Sequence, residues 1–122
     1  MIAIMASVVL TCSPVVVDGD TLRCGDERIR LLGIDAPEIK GCQAGRVCVE
    51  GNPIASRDNL RAAVKGKTLS IERVGKDRYG RTLALVKAGG VDLSCYQVRT
   101  GHAVYVAKWD NGKRLARVCG GL

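Results

Sequence analysis

The sequence predicts a mixed α+β fold, in which five short β-strands form a small barrel with about three helices beside it. The chain has 122 residues, enough for one hydrophobic core, so we expect a single domain over residues 1–122. Fifteen glycines against three prolines indicate tight turns and therefore short strands. Phe is absent and the aromatic fraction is 3%, so the core must consist of aliphatic side chains.

The first part of the chain contains three predicted strands separated by tight turns. Residues 15–17 and 21–24 flank an Asp-Gly turn, and residues 27–34 form the third strand after a second turn. The segment Asp35-Ala36-Pro37-Glu38 ends this strand, because proline cannot donate a hydrogen bond to a ladder.

A helix is predicted after a Gly-rich loop that covers residues 39–52. Asn52 is suited to cap this helix and Pro53 to its first turn. Apolar residues then recur at helical spacing until Gly66, which is expected to end the helix.

Two more strands and two short helices complete the predicted order. Apolar and polar residues alternate in strand fashion over residues 68–74, and residues 81–87 form the fifth strand. Apolar residues at helical spacing predict the helices: Val91, Cys95 and Val98 in one, and Leu115, Val118 and Cys119 in the other. Five strands with a helix between the third and the fourth is the element order of an OB-type barrel.

The charge distribution favours a polyanionic partner. The formal net charge is +7, but residues 1–38 hold more acids than bases, while residues 39–122 are strongly basic. A carboxylate cluster inside a basic protein is what a metal site acting on phosphate requires, although basic surfaces are also common in secreted and bacterial proteins. No apolar run approaches the ~18 residues that a membrane-spanning helix needs, which excludes a membrane protein.

Six cysteines in so short a chain predict a disulfide framework. They allow about 15 pairings. Cys42 and Cys48 share one loop, and Cys12 and Cys24 flank a predicted hairpin, which leaves Cys95 with Cys119. This pattern predicts an oxidising compartment, either the periplasm or the outside of the cell. Residues 1–11 are interpreted as a signal-peptide remnant, an N-terminal extension or the lead-in to the first strand.

Three carboxylates and two arginines are candidate site residues. Asp20, Asp35 and Glu38 follow strand ends and offer the oxygen ligands that hard cations such as Ca²⁺ prefer. Arg30 interrupts an apolar strand and Arg81 begins another. Taken singly, the carboxylates are better explained as turn residues, and each arginine as a structural ion pair rather than a phosphate clamp.

Three motifs occur in an order that resembles the staphylococcal nuclease family. They are Val17-Asp18-Gly19-Asp20-Thr21, then residues 30–38 with the sequence RLLGIDAPE, then Asp77-Arg78-Tyr79-Gly80-Arg81. The resemblance covers roughly residues 12–106 and implies a five-stranded OB barrel with three helices. It also implies that Asp20, Asp35 and the backbone carbonyl of Ala36 bind Ca²⁺, with Asp18 supporting them.

The same resemblance implies the catalytic roles. Glu38 would act as the general base, and Arg30 and Arg81 would clamp the scissile phosphate. Further substrate contacts would come from Tyr79, Arg78 and Tyr105, the last as the aromatic residue that packs on a base.

The implied function is a secreted, Ca²⁺-dependent nuclease that cuts DNA and RNA without sugar specificity. It would leave 3′-phosphate and 5′-hydroxyl ends, prefer single strands and act as a monomer. The alternative is a catalytically inactive OB-fold module that binds nucleic acid or protein. All five catalytic and carboxylate positions are filled, which favours the enzyme.

Overall fold

A computed structural model describes residues 7–42 and 44–122. The strands, numbered along the chain, are β1 (Val8–Val9), β2 (Val15–Asp18), β3 (Thr21–Cys24), β4 (Glu27–Leu31), β5 (Ile34–Asp35), β6 (Leu69–Lys76), β7 (Thr82–Ala88), β8 (Val91–Asp92) and β9 (Val104–Tyr105). The α-helices are α1 (Pro53–Val64), α2 (Leu93–Arg99) and α3 (Arg114–Cys119), and a 3-10 turn covers Ala107–Trp109. Within the described residues, none of the helices has the length and apolar character that a bilayer crossing requires.

The main sheet has the strand order β1-β6-β7-β4-β3-β2. Neighbouring strands are antiparallel except β4 and β7, which run parallel because the chain passes through α1 and β6 between them. The strands β5 and β9 form a separate antiparallel pair. Helix α1 thus lies between the third and fourth of the five long strands, as the sequence predicts.

The core is aliphatic, as predicted. Its fully buried side chains come from both the sheet and the helices, and they include Leu22, Ile29, Ile71, Leu60 and Leu93. Helix α1 begins at Pro53 because the Asn52 side chain accepts hydrogen bonds of 3.0 Å from the amides of Ile54 and Ala55.

Two predicted elements have different bounds in the structure. The predicted strand over residues 27–34 breaks after Leu31, because Gly33 adopts a left-handed backbone with φ of +76° and turns the chain into β5. The helix predicted from Val91 begins at Leu93 instead, since Asp92 accepts a 2.9 Å hydrogen bond from the Cys95 amide and caps it.

Smaller differences concern strand ends and one helical face. The strand predicted over residues 68–74 extends to Lys76, and the one predicted over 81–87 covers Thr82–Ala88. In α3, Leu115 and Cys119 are buried as expected, but Val118 points to solvent.

The three predicted disulfides are present. Cys12–Cys24, Cys42–Cys48 and Cys95–Cys119 have Cα–Cα distances of 5.6, 5.8 and 5.4 Å. The first ties the lead-in of β2 to the end of β3, the second closes the loop before α1, and the third joins α2 to α3. The predicted cysteine pattern is therefore confirmed.

Candidate active site

A buried arginine joins two aspartates at the centre of the site. Arg30 Nη1 lies 2.9 Å from Asp20 Oδ2, and Arg30 Nη2 lies 3.3 Å from Asp35 Oδ1. The exposed fractions of Asp20, Arg30 and Asp35 are only 5, 7 and 6%. Charged groups this deeply buried are costly unless they are paired, so their mutual contacts are what makes the cluster tolerable.

Local packing fixes the turn that carries Asp20. Asp20 Oδ2 accepts a 2.8 Å hydrogen bond from the Ala36 amide, which joins the first two predicted motifs directly. Gly19 lies so close to α1 that an added Cβ would be 1.8 Å from Ser56 Oγ, so only glycine fits there. The buried Gln97 side chain donates to the carbonyl oxygens of Gly19 and Ser56, at 2.7 and 3.0 Å, and ties the turn to α1 and α2.

Glu38 lies at the rim of this cluster, with a side chain that is 25% exposed. Its Oε1 forms an ion pair with Nη1 of Arg46, and Arg46 Nη2 lies 3.9 Å from Asp35 Oδ1. Asp18 Oδ1 accepts a 3.1 Å hydrogen bond from the Ile39 amide, so Asp18 holds the backbone directly after Glu38.

The electrostatics of the two buried carboxylates, Asp20 and Asp35, favour an additional positive charge beside them. Burial raises the pKa of Asp35, the Arg30 guanidinium opposes that rise, and the Asp20 carboxylate adds to it. A cation bound between the two carboxylates would relieve this repulsion.

The turn between β6 and β7 carries the third motif. Asp77 Oδ2 accepts a 2.7 Å hydrogen bond from Arg81 Nε, and Asp77 Oδ1 accepts from the amides of Tyr79 and Arg81 at 2.9 and 3.0 Å. The Tyr79 ring contacts the guanidinium groups of Arg78 and Arg81, with centroid distances of 4.9 and 5.5 Å. Burial opposes ionisation of Asp77, but the hydrogen bonds from Arg81 and Tyr79 lower its pKa below the ordinary value.

These elements surround a cavity of about 810 Å³. Four predicted site residues line it: Arg30, Arg78, Tyr79 and Arg81. Asp20, Asp35, Ala36, Glu38 and Asp18 do not line it, but Arg30 and Arg46 connect the carboxylates to it through ion pairs.

Tyr105 is the predicted substrate residue that lies apart from this cavity. It pairs with Ile34 across β5 and β9, and its hydroxyl donates to the buried Asp110. Its predicted contact with a base stays a prediction. Besides Tyr79, the aromatic side chain that lines the cavity is that of Trp109, whose ring centroid lies 5.5 Å from Arg30 Cζ.

Sequence reasoning missed three residues of the site: Arg46, Asp77 as the support of Arg81, and Trp109. Asp77 could have been found, since aspartate two residues before a turn amide commonly accepts from the backbone. Arg46 and Trp109 carry no such local signal.

The residues present fit Ca²⁺ by the chemistry of their donors. Asp20, Asp35 and the Ala36 carbonyl offer oxygen only, as hard cations require. The carboxylate oxygens of Asp20, Asp35 and Glu38 do not all lie within 4.8 Å of one another. Among the described residues, the group of three histidine, cysteine or acidic side chains whose donor atoms all lie within 4.8 Å of one another is Asp92, Cys95 and Cys119, and the two sulfurs of that group form a disulfide. A metal site here therefore rests on the two aspartates and the Ala36 backbone.

The fold and the site together define a small OB-type α+β domain with a basic cavity beside a buried carboxylate pair. The family model described as staphylococcal nuclease homologue matches residues 28–118, and the chain belongs to this family. The predicted fold class and the resemblance are thereby confirmed. The matched range begins after Asp18 and Asp20, whose place in the site follows from the contacts above.

Curated relatives agree with this assignment. The chain is 40% identical over 93 residues to an uncharacterized endonuclease of Escherichia coli O157:H7, covering 72% of this chain and 55% of that protein. It is 37% identical over 99 residues to an uncharacterized endonuclease of Haemophilus influenzae, covering 76% and 51%. It is 36% identical over 78 residues to the thermonuclease of Staphylococcus intermedius, covering 61% and 46%. The chain thus spans about half the length of these relatives.

Proposed function

We propose that the protein is a Ca²⁺-dependent nuclease that hydrolyses phosphodiester bonds of DNA and RNA and leaves 3′-phosphate and 5′-hydroxyl ends. One observation carries the proposal: Arg30 contacts both aspartates of the buried pair while it lines the same cavity as Arg81. A cavity that combines fixed guanidinium groups with adjacent carboxylates suits a phosphate whose negative charge increases during reaction. The endonuclease and thermonuclease relatives support the same class of activity.

The two arginines are the residues that bind the scissile phosphate. Arg30 Nη1 is buried and, within the described part of the chain, has no aligned hydrogen-bond acceptor despite its ion-pair contact with Asp20. Arg81 uses Nε for Asp77, which leaves its two Nη groups to reach the phosphate. Planar guanidinium groups match phosphate oxygens in two-point contacts, and such preorganised charge commonly supplies the largest part of catalysis.

Glu38 is the proposed general base. Its partial exposure allows water to reach the carboxylate, while Asp18 fixes the following amide and hence its position. The ion pair with Arg46 must loosen before Glu38 can accept a proton from water. When bound by Asp20, Asp35 and the Ala36 carbonyl, Ca²⁺ would supply positive charge that stabilises the developing negative charge.

The rest of the cavity suits the sugar-phosphate backbone rather than particular bases. Arg78 and Lys108 add positive charge, and Trp109 and Tyr79 add aromatic surfaces on which any base can stack. We therefore expect weak sequence selectivity and faster cleavage of single strands, whose backbone can bend into the cavity. The three disulfides support a secreted or periplasmic protein. We further propose that it acts as a monomer.

The testing experiment incubates the protein with single-stranded DNA and with RNA, in Ca²⁺ and in EDTA. Fragments are then offered to a 5′-kinase with labelled ATP, with and without phosphatase treatment. We expect cleavage only with Ca²⁺, and labelling that needs no phosphatase because the new 5′ ends carry hydroxyl groups. Labelling only after phosphatase would mean that the new 5′ ends carry phosphate, so that the bond from phosphorus to the 3′ oxygen breaks instead of the bond to the 5′ oxygen.

A second candidate function is the inactive binding module. The ion pair between Arg46 and Glu38 favours it, because a carboxylate held by a guanidinium group is not free to position a water molecule. Nucleic acid that stays intact in every lane, yet is retained by the protein, would support this candidate over the nuclease.

A further inference from the structure

The loop closed by the Cys42–Cys48 disulfide forms part of the cavity wall. We call the described residues 44–48 of this loop, together with Cys42, the bridge loop. Ala44, Gly45 and Arg46 line the cavity. The Sγ atoms of Cys42 and Cys48 lie 3.3 and 3.8 Å from the Arg46 carbonyl oxygen, so the disulfide packs directly against the backbone of that arginine. The disulfide therefore fixes the position of the Arg46 backbone, from which the side chain extends.

The Arg46 guanidinium is the least buried of the arginines that contact the central carboxylates. Its side chain is 42% exposed, against 8% for Arg30. Nη1 pairs with Glu38, whereas Nη2 is 3.9 Å from Asp35 Oδ1, beyond hydrogen-bond distance. Arg46 thus presents donors to the cavity that its carboxylate contacts do not use.

The charge balance of the cavity favours a polyanion at this position. Its lining contains five basic side chains and one carboxylate, that of Asp77, which is hydrogen bonded to Arg81. Five basic groups exceed what a single phosphate needs, and the cavity volume of about 810 Å³ suits a ligand of nucleotide size. Neighbouring phosphates of one strand would satisfy this excess of positive charge.

We propose that Arg46 is a further substrate-binding residue, presented by the bridge loop, which donates hydrogen bonds to a phosphate of the strand adjacent to the scissile one. On binding, it exchanges its contact with Glu38 for this phosphate, and Glu38 becomes available to water. This inference rests on the proposed nuclease function and extends it. The competing explanation is that Arg46 and Glu38 form a surface ion pair with no role in substrate binding. Such exposed pairs contribute little to stability and are common on protein surfaces.

The binding test compares Arg46→Ala with Arg61→Ala. Arg61 is a matched control, because it also pairs with a carboxylate and is 55% exposed, but it lies on α1 away from the cavity lining. Fluorescence anisotropy with a fluorescein-labelled single-stranded DNA decamer at low salt in EDTA measures affinity without cleavage. We expect Kd to rise about tenfold in Arg46→Ala and less than about twofold in Arg61→Ala. In Arg46→Ala, the slope of log K for association against log salt concentration should become less steep by about 0.7, which corresponds to the loss of one phosphate contact on a single strand.

Arg46→Lys and steady-state kinetics provide a second measure. Lysine keeps the charge but loses the planar fork, so the variant should lie between wild type and Arg46→Ala in affinity. With Ca²⁺, we expect Arg46→Ala to raise KM about tenfold without lowering kcat, since Glu38 loses its competing partner. Unchanged KM together with unchanged Kd would overturn the inference.

The role of the bridge is tested by a double-mutant cycle. In the Cys42→Ser/Cys48→Ser background, Arg46→Ala should weaken binding by less than about twofold, because the unbridged loop no longer presents the side chain. An equal loss in both backgrounds would remove the disulfide from the proposal. If wild-type protein neither binds nor cleaves nucleic acid, the proposed function fails and this inference with it. If wild type does both and Arg46→Ala matches it, only this inference fails.

Discussion

Asp77 Oδ2 accepts a 2.7 Å hydrogen bond from Arg81 Nε, while Asp77 Oδ1 accepts from the Arg81 backbone amide at 3.0 Å. One carboxylate therefore fixes both the main chain and the side chain of the arginine. Asp77 does not use the two Nη groups of Arg81, and the Tyr79 ring packs against the same guanidinium. Arg81 is held as a preorganised donor rather than a freely moving surface charge.

Arg81→Lys is expected to lower kcat by about 100-fold while the melting temperature changes by no more than a few degrees. Lysine keeps the charge but loses the planar two-point contact with phosphate, and Arg81 is only partly buried, so little packing is lost. Steady-state kinetics and thermal unfolding of the same preparation measure both effects. A variant that keeps most of its kcat would make Arg81 a structural residue.

Glu38→Gln is expected to lower turnover by at least about 100-fold, the scale of losing a general base. Glutamine matches the shape of glutamate but cannot accept the proton. Single-turnover rates at saturating Ca²⁺ measure this loss, with Glu50→Gln as a control at an exposed acid of the same loop region. Rates near those of wild type would exclude Glu38 as the base.

Removing the Cys95–Cys119 bridge by a double Ser substitution is expected to cost about 2–4 kcal/mol of the free energy of unfolding. This bridge joins α2 to α3, and both cysteines are buried. Removal of Cys42–Cys48 should cost less, because that bridge closes a separation of only 6 residues. Urea denaturation compares the variants. Six free thiols in the denatured, unreduced wild type would contradict both the bridges and the secreted assignment.

Glu27→Gln is expected to destabilise the protein by about 1 kcal/mol at pH 7, and the difference should disappear at low pH. The side-chain hydrogen bond from Arg73 is the main cause that lowers the pKa of Glu27 from 4.5 to about 2, with a further bond from Thr82. The expected cost is modest because the Arg73 side chain is 44% exposed and solvent screens the pair.

The direction of this pH dependence follows from the linkage between proton binding and folding stability. A carboxyl whose pKa is lower in the folded state stabilises the fold fully above its unfolded pKa, near 4.5, and that contribution is lost as pH falls through about 2. Urea unfolding of wild type and Glu27→Gln at pH 7, 4 and 3 should therefore show a shrinking gap. A gap that stays constant over this range would refute the role of the Arg73 contact.

Local patterns in the sequence determined much of the fold and many of the candidate site residues. The Asn52-Pro53 start of α1, the strand alternation and the bridge between Cys42 and Cys48 each depend on residues close together in the chain. Such signals act within one turn, one ladder or one loop, so they can be recognised without a structure. The sequence motifs alone also identify Asp20, Arg30 and Asp35 as site residues.

Tertiary structure alone decided the arrangement around those residues. The contact of Trp109 with Arg30 joins segments that are far apart in sequence, and the ion pair of Arg46 with Glu38 spans a loop without regular secondary structure. No local propensity encodes such contacts, because they depend on how the bridge loop and the segment after β9 pack around the cavity. The break of the third predicted strand at Gly33 has the same origin, since only the folded chain shows that β5 must turn away from β4 to pair with β9.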